Sequence, residues 1–315
     1  SFQRLQHDVD AGLHVRDLGL QLGDRLLGAQ QRGAAARHDA FLNGRAGCVE
    51  RVLDTILLFL HLDLGRAADA NDRDAAGELG QTLLELLAVV IGVRVLDLSR
   101  VLAGPYCGAF LADLGADVVK VEAPNGDDAR HLGPFKGEES VYFAELNHGK
   151  RSVVLNFKDP KDHERFMKLV EHADVVLENF RPGVTKRLGV DAESVHKTNP
   201  RIIYASISGF GQEGPFRNRP AYDLIVQAMS GIMAATGPEG GKPTRVGESL
   251  GDVVSGIFAG WAICAALYER ERTGVGRTVD VSMFNSLLAL QVTNLSLLLA
   301  DGKLPGRIGN RHPVS

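Results

Sequence analysis

The feature that most constrains the fold is an alternation, from Gly92 onward, of short β-branched runs with helical segments. Apolar runs of this length are typical of strands buried on both faces, with helices as the connections between them. The predicted strands are Val93–Ser99, Asp117–Glu122, Arg151–Phe157, Asp174–Phe180 and Arg201–Ser208, and the predicted helices include Pro105–Leu114, Pro160–His172 and Tyr222–Met233. The pattern predicts an α/β fold: a Rossmann-like open, mostly parallel sheet with helices on both faces. Ligands of such sheets bind at the carboxyl ends of the strands.

The composition changes sharply near Ile91. Residues 1–90 contain no Lys, Pro, Tyr, Trp or Met, and two patches within them, Arg51–Leu62 and Ala76–Val90, have a helical pattern. Two hypotheses account for this segment: a helical appendage, or upstream sequence translated from a misplaced start. We favour the second, and we expect residues 1–90 to lie outside the main domain, which begins at Ile91.

Charge and cysteine content exclude several classes of protein. The net charge is -4 and the isoelectric point is near 6.2, so a nucleic-acid partner is not expected. Cys48, Cys107 and Cys264 are odd in number and widely spaced, which suggests neither a disulfide framework nor a zinc site and favours a cytoplasmic location. The apolar run Ile56–Leu60 is too short to span a bilayer, so no membrane association is expected.

The stretch from Arg245 to Gly256 is the strongest candidate for a reactive site. Asp252 stands in it at the start of a long apolar pattern that predicts a buried helix, and glycines at 247, 251 and 256 would allow close backbone approach. Helix N-terminal N–H groups would keep this carboxylate ionised, with a pKa of roughly 3.9. Such an anion can attack an activated acyl carbon, but an Asp that only caps the helix has the same pattern.

One motif points to a different function. Gly209 to Gly214 matches G-x-G-x-x-G after a predicted strand, as in dinucleotide-binding proteins. Pro215 and Pro220 stand where that fingerprint needs a helix, and Asp223 comes too soon for the ribose-binding acid, so we do not expect an NAD site. The sequence also lacks a Walker A loop, a G-x-S-x-G elbow and H-E-x-x-H.

Taken together, the motifs resemble the class III CoA-transferases, also called the CaiB/BaiF family, from about Gly92 to Pro313. The resemblance rests on six segments in the same order: Val95–Pro105, Leu114–Glu122, Asn147–Ser152, Glu178–Gly183, Ser206–Pro215 and the stretch around Asp252. It implies that residues 91–308 are part of the large domain and that 309–315 begin a linker and a smaller domain, so that the chain is a C-terminally truncated fragment that can be inactive. It also implies an interlinked homodimer, acyl-CoA and carboxylic acid substrates, coenzyme A bound as the acyl-CoA substrate, and no metal.

The resemblance assigns roles to individual residues. Asp252 would be the nucleophile, carrying first an acyl anhydride and then a CoA thioester, with oxyanion donors that the sequence does not identify. The positions that match the CoA contacts of the family are Val101, Leu102, Ala103, Leu155, Asn156, Phe157, Lys158, Asn179, Phe180, Arg181 and Arg187. Lys158 and Arg187 are the favoured phosphate ligands, and Arg130 and Lys150 are weaker candidates.

Two alternatives remain open from the sequence. The family includes acyl-CoA racemases, which use a His beside an Asp to move the α-proton, and the matching pair here is Tyr222 and Asp223. A tyrosine with a pKa of roughly 10 is a poor base at neutral pH, which disfavours racemisation, and we expect Tyr222, Asp223 and Leu102 to border the substrate site. The second alternative is a fragment that binds CoA without catalysis.

Overall fold

A six-stranded parallel sheet forms the centre of the computed structural model, which describes residues 90–303, 306–312 and 314. The strands are β1 Arg94–Asp97, β2 Asp117–Glu122, β5 Arg151–Val154, β6 Val175–Glu178, β7 Ile203–Ser208 and β8 Thr278–Ser282; a separate short hairpin pairs β3 Phe135–Lys136 with β4 Glu139–Ser140. Across the sheet the order is β5-β2-β1-β6-β7-β8, with every neighbouring pair parallel. The predicted fold class is confirmed.

Helices cover both faces of this sheet. They are α1 Ala103–Asp113, α2 Val141–Asn147, α3 Pro160–Val170, α4 Val184–Leu188, α5 Ala192–Thr198, α6 Asp223–Met229, α7 Ile232–Ala235, α8 Leu250–Thr273, α9 Met283–Ala289 and α10 Val292–Asp301, with a 3₁₀ turn at Asp128–His131. One hydrophobic cluster joins the sheet to α1 and α8, through side chains such as Cys107 and Ile263. The other joins the opposite face to α3 and α5, through Phe166 and Val195.

The chain reverses direction across the sheet between β1 and β6. From β1 the chain adds β2 and then β5 toward one edge of the sheet. It then adds β6, β7 and β8 in order toward the other edge. The loops that leave β1 and β6 therefore diverge and open a crevice at the carboxyl edge, which is where doubly wound α/β proteins bind ligands. This reversal fixes the position of the candidate site.

Two glycines of α8 bring that helix unusually close to α1. A Cβ on Gly256 would lie 2.7 Å from the carbonyl oxygen of Ala103, and one on Gly260 would lie 2.9 Å from a ring carbon of Phe110. Gly251 is also tightly packed, whereas a Cβ added at Gly247 would have no neighbouring atom within 4 Å. Close approach is thus confirmed for Gly251 and Gly256 and is wrong for Gly247.

Several element boundaries differ from the sequence prediction. The strands predicted over Val93–Ser99, Arg151–Phe157 and Asp174–Phe180 each end two or three residues earlier, because the subsequent residues turn into the crevice loops. The single helix predicted over Tyr222–Met233 is wrong: Gly231, with φ 88°, breaks it into α6 and α7. Strand β8 was not predicted.

The predicted extension over 1–90 and its helical patches lie almost entirely outside the described residues, and the domain limits at 91 and 309 stay predictions. Helix α8, and α9 with α10 as a bent pair, are long and apolar enough to cross a bilayer by length and composition. Half of the most apolar 18-residue stretch of α8 is buried inside the fold, and the core helices of soluble proteins can have the same length and composition. Length and composition alone are therefore weak evidence of a membrane span.

Replacing Gly256 with Ala should lower the free energy of unfolding by about 1–3 kcal/mol, because the neighbouring backbone must move to admit the new methyl group. Denaturant unfolding followed by circular dichroism measures the change. Gly247→Ala is the matched control, since nothing lies near that position. Equal losses in the two variants would contradict the proposed packing of α8 on α1.

Candidate active site

The crevice between β1 and β6 is closed at its base by a pair of hydrogen bonds between loops. Asn179, directly after β6, accepts a hydrogen bond from the backbone N–H of Arg100 at 2.8 Å and donates one to the carbonyl oxygen of Arg100 at 2.7 Å. The guanidinium group of Arg100 also lies 5.1 Å from the ring centre of Phe180. Two segments assigned to CoA contacts are therefore held against each other.

Asp252 lies in the first turn of α8, one turn before the Gly256 contact with Ala103. The helix begins at Leu250 with Ser249 as its N-cap, so the alternative in which Asp252 caps the helix is wrong. Among the described residues, none donates a hydrogen bond to the Asp252 carboxylate; the hydroxyl of Ser255 bonds its backbone oxygen instead. The carboxylate has no structural partner and is available for chemistry.

Burial raises the pKa of Asp252 from its ordinary 3.8 to about 7, and the nearby charge of Asp223 contributes to this increase. The expectation of an ordinary, fully ionised helix-terminal Asp is therefore wrong. The partial positive charge of a helix N-terminus is worth up to about 2 kcal/mol, and here it does not offset the desolvation of the carboxylate and a like charge beside it. The group is poised to exchange between its neutral and ionised forms near neutral pH.

Asp223 is buried and serves as an anchor for the start of α8. One carboxylate oxygen accepts the backbone N–H of Gly251, and the other accepts the side-chain amide of Gln227, each at 2.8 Å. Gln227 is fully buried, and its amide also bonds the backbone of Val246 and Glu248. The loop that leads to Asp252 is thus fixed by one turn of α6.

Tyr142 on α2 lies within electrostatic range of Asp252, and the sequence analysis missed it. Burial raises its pKa to about 12, with further contributions from the charges of Asp252, Glu248 and Asp127. Its hydroxyl therefore stays protonated and can donate a hydrogen bond at neutral pH. Nothing in the local sequence around Tyr142 marks this role, because it comes to Asp252 from a distant part of the chain. Tyr222, predicted to border the site, is 75% exposed just before α6.

The predicted CoA contacts lie on three segments that follow strands at the carboxyl edge, and on one short helix. Leu155, Asn156, Phe157 and Lys158 follow β5; Asn179, Phe180 and Arg181 follow β6; Arg187 lies on α4; and Val101, Leu102 and Ala103 join β1 to α1. The cations of Lys158, Arg181 and Arg187 are exposed, and among the described residues no carboxylate pairs with them. Leu102 and Ala103 are buried, so their backbone rather than their side chains would meet a ligand.

The two weaker phosphate candidates are committed to internal ion pairs. The ammonium group of Lys150 is buried 2.8 Å from a carboxylate oxygen of Asp97 and donates to the carbonyl oxygen of Pro105 at 2.7 Å. The guanidinium group of Arg130 forms two hydrogen bonds with Glu122, at 2.8 and 2.7 Å. A phosphate role is wrong for Lys150 and is opposed by this pairing for Arg130.

The G-x-G-x-x-G segment does not form a dinucleotide-binding turn. It follows β7, but the next helix in the described chain is α6, which begins only at Asp223. The N-terminus that would bind a pyrophosphate is therefore not there. In the same described residues, no group of three or more His, Cys, Asp or Glu side chains is placed to hold a metal ion.

Comparison with known proteins gives a consistent result. Residues 90–315 match the family described as CoA-transferase family III. The chain is 55% identical over 224 residues to acetyl-CoA:oxalate CoA-transferase of Acetobacter aceti, covering 70% of this chain and 58% of that protein. It is 44% identical over 223 residues to succinyl-CoA:glutarate CoA-transferase of Mus musculus, covering 70% of this chain and 51% of that protein. A CAIB/BAIF family protein from Brucella suis superposes with a TM-score of 0.69 at 42% identity, covering 71% and 61% of the two chains.

Asp252→Asn should stabilise the protein at about pH 8, by at most about 4 kcal/mol, since one unit of pKa shift corresponds to about 1.4 kcal/mol. The folded pKa of about 7 lies above the ordinary 3.8, so the folded protein holds this proton more tightly than the unfolded chain. The wild type therefore loses stability as the pH rises from about 4 to about 7, and the variant does not lose this contribution. Thermal melts should show a difference in Tm that is near zero at the acidic end and largest above neutrality.

Asp301→Asn, at the exposed end of α10, is the control for this experiment. This variant removes a carboxylate at an exposed position, where ionisation requires no desolvation. If the Tm difference between Asp252→Asn and the wild type is the same across the pH range, ionisation of Asp252 does not destabilise the folded protein.

Proposed function

Because the chain belongs to CoA-transferase family III, the class III or CaiB/BaiF group, we propose that it carries the nucleophile and the CoA-binding crevice of an enzyme that moves CoA between carboxylic acids. The observation that carries the proposal is the Asp252 carboxylate, partly buried, without a structural hydrogen bond and placed beside the loop that follows β1. The chain spans between half and three fifths of the length of the curated relatives, so the activity proposed is that of the whole protein.

The proposed reaction proceeds through covalent intermediates on Asp252. The carboxylate attacks the thioester carbon of an acyl-CoA, which gives a mixed anhydride and CoA thiolate; the thiolate then attacks the aspartyl carbonyl and releases the donor acid, leaving an aspartyl-CoA thioester. An acceptor carboxylate attacks that thioester and expels the thiolate, and the thiolate attacks the acceptor's acyl carbon. CoA leaves on the acceptor and Asp252 is regenerated. Each bond formed replaces one of similar energy, so neither ATP nor a metal enters the scheme.

The charge on Asp252 supports this role. Its ionised form is disfavoured by burial and by Asp223, and both acylated forms are uncharged. Forming the anhydride or the thioester therefore removes the charge that the environment opposes. The hydroxyl of Tyr142, which stays protonated, is a candidate donor toward a carboxylate or an oxyanion formed at this position.

The exposed cations at the carboxyl edge support the binding of CoA. Its phosphates would meet Lys158, Arg181 and Arg187, while the arm of CoA would pass over the β1 loop toward Asp252. The position of this loop at the reversal between β1 and β6 favours a ligand there over one at any other edge. No residue of the G-x-G-x-x-G segment takes part in this arrangement.

Short dicarboxylic acids are the proposed acceptor class, with oxalate the first to test. The relatives at 55% and 44% identity are an acetyl-CoA:oxalate and a succinyl-CoA:glutarate CoA-transferase. We also propose a homodimer, since α8 and α10 leave the apolar side chains of Trp261 and Leu299 70% and 86% exposed. The free thiols of Cys107 and Cys264 are consistent with the cytoplasm as its location.

Incorporation of labelled acetate into acetyl-CoA, with no carboxylic acid present other than acetate, tests the first half of the reaction in both directions. The rate should rise as the pH rises through about 7, because only the ionised Asp252 attacks the thioester. Asp252→Ala should reduce the exchange by about 10³-fold or more. Asp223→Asn should move the rise to lower pH, since it removes the negative neighbour of Asp252.

Equilibrium binding of CoA, measured on the same samples, separates the alternatives. A wild-type protein that binds acetyl-CoA but incorporates no label would favour the non-catalytic CoA-binding fragment. Asp301→Ala is the matched control, and it should exchange label at the wild-type rate. Full exchange by Asp252→Ala would remove this residue from the mechanism.

Lys158→Ala and Arg187→Ala should each weaken CoA binding by roughly tenfold at low ionic strength, because each removes one charge-assisted contact with a phosphate. Isothermal titration with CoA measures the change, and the deficit should shrink as salt is added. Lys197→Ala on α5, whose ammonium group pairs with Glu193, is the control and should bind CoA normally. An unchanged affinity in both test variants would place the phosphates elsewhere.

A further inference from the structure

Val101, in the loop after β1, has a backbone conformation that its side chain opposes. Its φ of 67° lies in the left-handed region, and it is the one non-glycine residue with positive φ among those that the structure describes. A β-branched residue is an outlier in this region, and such a conformation persists only when its surroundings impose it. Contacts with other parts of the fold must therefore stabilise this backbone conformation.

Asp127, from the loop after β2, holds the N–H of this residue. Its Oδ1 atom accepts a hydrogen bond from the backbone N–H of Val101 at 3.1 Å and another from Ala129 at 2.9 Å. Asp127 is 1% exposed; its bond to Ala129 is buried, and its bond to Val101, which is 37% exposed, is partly buried. A neighbouring strand thus fixes the strained end of the β1 loop.

Lys120, on β2, binds the backbone of the same loop two residues earlier, at Ser99. Its ammonium group donates to the carbonyl oxygen of Ser99 at 3.0 Å and lies 2.8 Å from Oδ2 of Asp127. No hydrogen bond with ordinary angles reaches that Oδ2 atom from the described residues, so charge attraction joins the pair. Both side chains are almost completely buried, at 2% and 1% exposed.

A buried ion pair is weak evidence of stabilisation, because desolvation of the two charges offsets their attraction. The proposed chemistry uses neither Lys120 nor Asp127. Together, however, they bond the carbonyl oxygen of Ser99 and the N–H of Val101, on either side of the residue that Asn179 holds from β6. Every contact of the pair with this loop therefore restrains the orientation of its peptides.

The conformation of this turn determines how the next two residues are presented. Leu102 and Ala103 come directly after Val101, and Ala103 is the residue against which Gly256 of α8 packs. A peptide flip at Val101 would turn the backbone groups that the proposed function presents to the thioester. It would also loosen the contact one turn from Asp252.

We propose that Lys120 and Asp127 are positioning residues that clamp Val101 in its left-handed conformation and so present the 101–103 backbone to acyl-CoA. This inference rests on the proposed function for the identity of the ligand. The restraint on the loop itself does not depend on it. The clamp and the CoA site can therefore be tested by separate measurements on the full chain.

The double variant Lys120→Met/Asp127→Leu removes both charges and the acceptor of the Val101 N–H, and it introduces apolar side chains of similar shape. Its dissociation constant for CoA, measured by calorimetry, should rise by about tenfold or more, as the strain at Val101 is released into other conformations. Adding Val101→Asn to the double variant should recover most of the affinity, because Asn adopts positive φ far more readily than Val. A purely structural role of the ion pair would give no such rescue.

The exposed pair Lys168 and Glu164 supplies a matched control. Lys168→Met/Glu164→Leu should leave CoA binding unchanged. Wild-type affinity in Lys120→Met/Asp127→Leu, or no recovery on adding Val101→Asn, would overturn the proposal. If the double variant does not fold, Lys120→Met/Asp127→Asn takes its place in the same comparison: it removes both charges and the donor to Ser99, while the amide oxygen at position 127 can still accept from Val101 and Ala129.

Amide hydrogen exchange over residues 99–103 separates a failed clamp from a failed function. Faster exchange in the double variant than in the wild type supports the clamp even if no CoA binds, a result that would contradict only the proposed function. Exchange as slow as in the wild type would overturn the clamp whatever the protein binds.

Discussion

The close contact between α8 and the segment that begins α1 is the constraint on which the site depends. Gly256 lies against the backbone of Ala103, and a side chain there would separate the two segments. Because Asp252 is one turn earlier on the same helix, the contact both buries its carboxylate and places it beside the β1 loop. A helix that stood further out would carry an ordinary ionised aspartate in water.

Burial gives this aspartate its chemical character, and a second acid increases the effect. Asp223 stays buried because it anchors Gly251 and is itself bonded by Gln227, so its charge cannot move away from Asp252. The arrangement destabilises the free carboxylate relative to a neutral acylated one. Burial of this carboxylate beside a second acid destabilises the folded protein. The two hydrophobic clusters, one on each face of the sheet, offset this unfavourable free energy.

The sheet supplies the other half of the site through its connections. Reversal of strand order between β1 and β6 separates their loops, and Asn179 then bridges them at Arg100. The buried pair formed by Lys120 and Asp127 restrains the same loop from β2. Three adjacent strands thus converge on one short segment of backbone, which is a reason to expect that segment to have a defined shape before any ligand arrives.

The sequence by itself determined the fold class and the family, because alternation of apolar strands with helices admits few topologies and ordered motifs are specific. It also singled out Asp252 and the loops at the carboxyl edge. Only the tertiary structure decided the raised pKa of Asp252 and the anchoring role of Asp223. It also decided that the charge of Asp252 acts on Tyr142 and that Lys150 forms a buried ion pair with Asp97. These properties depend on burial and on contacts between residues far apart in the chain, and no local pattern encodes the distance between two such side chains.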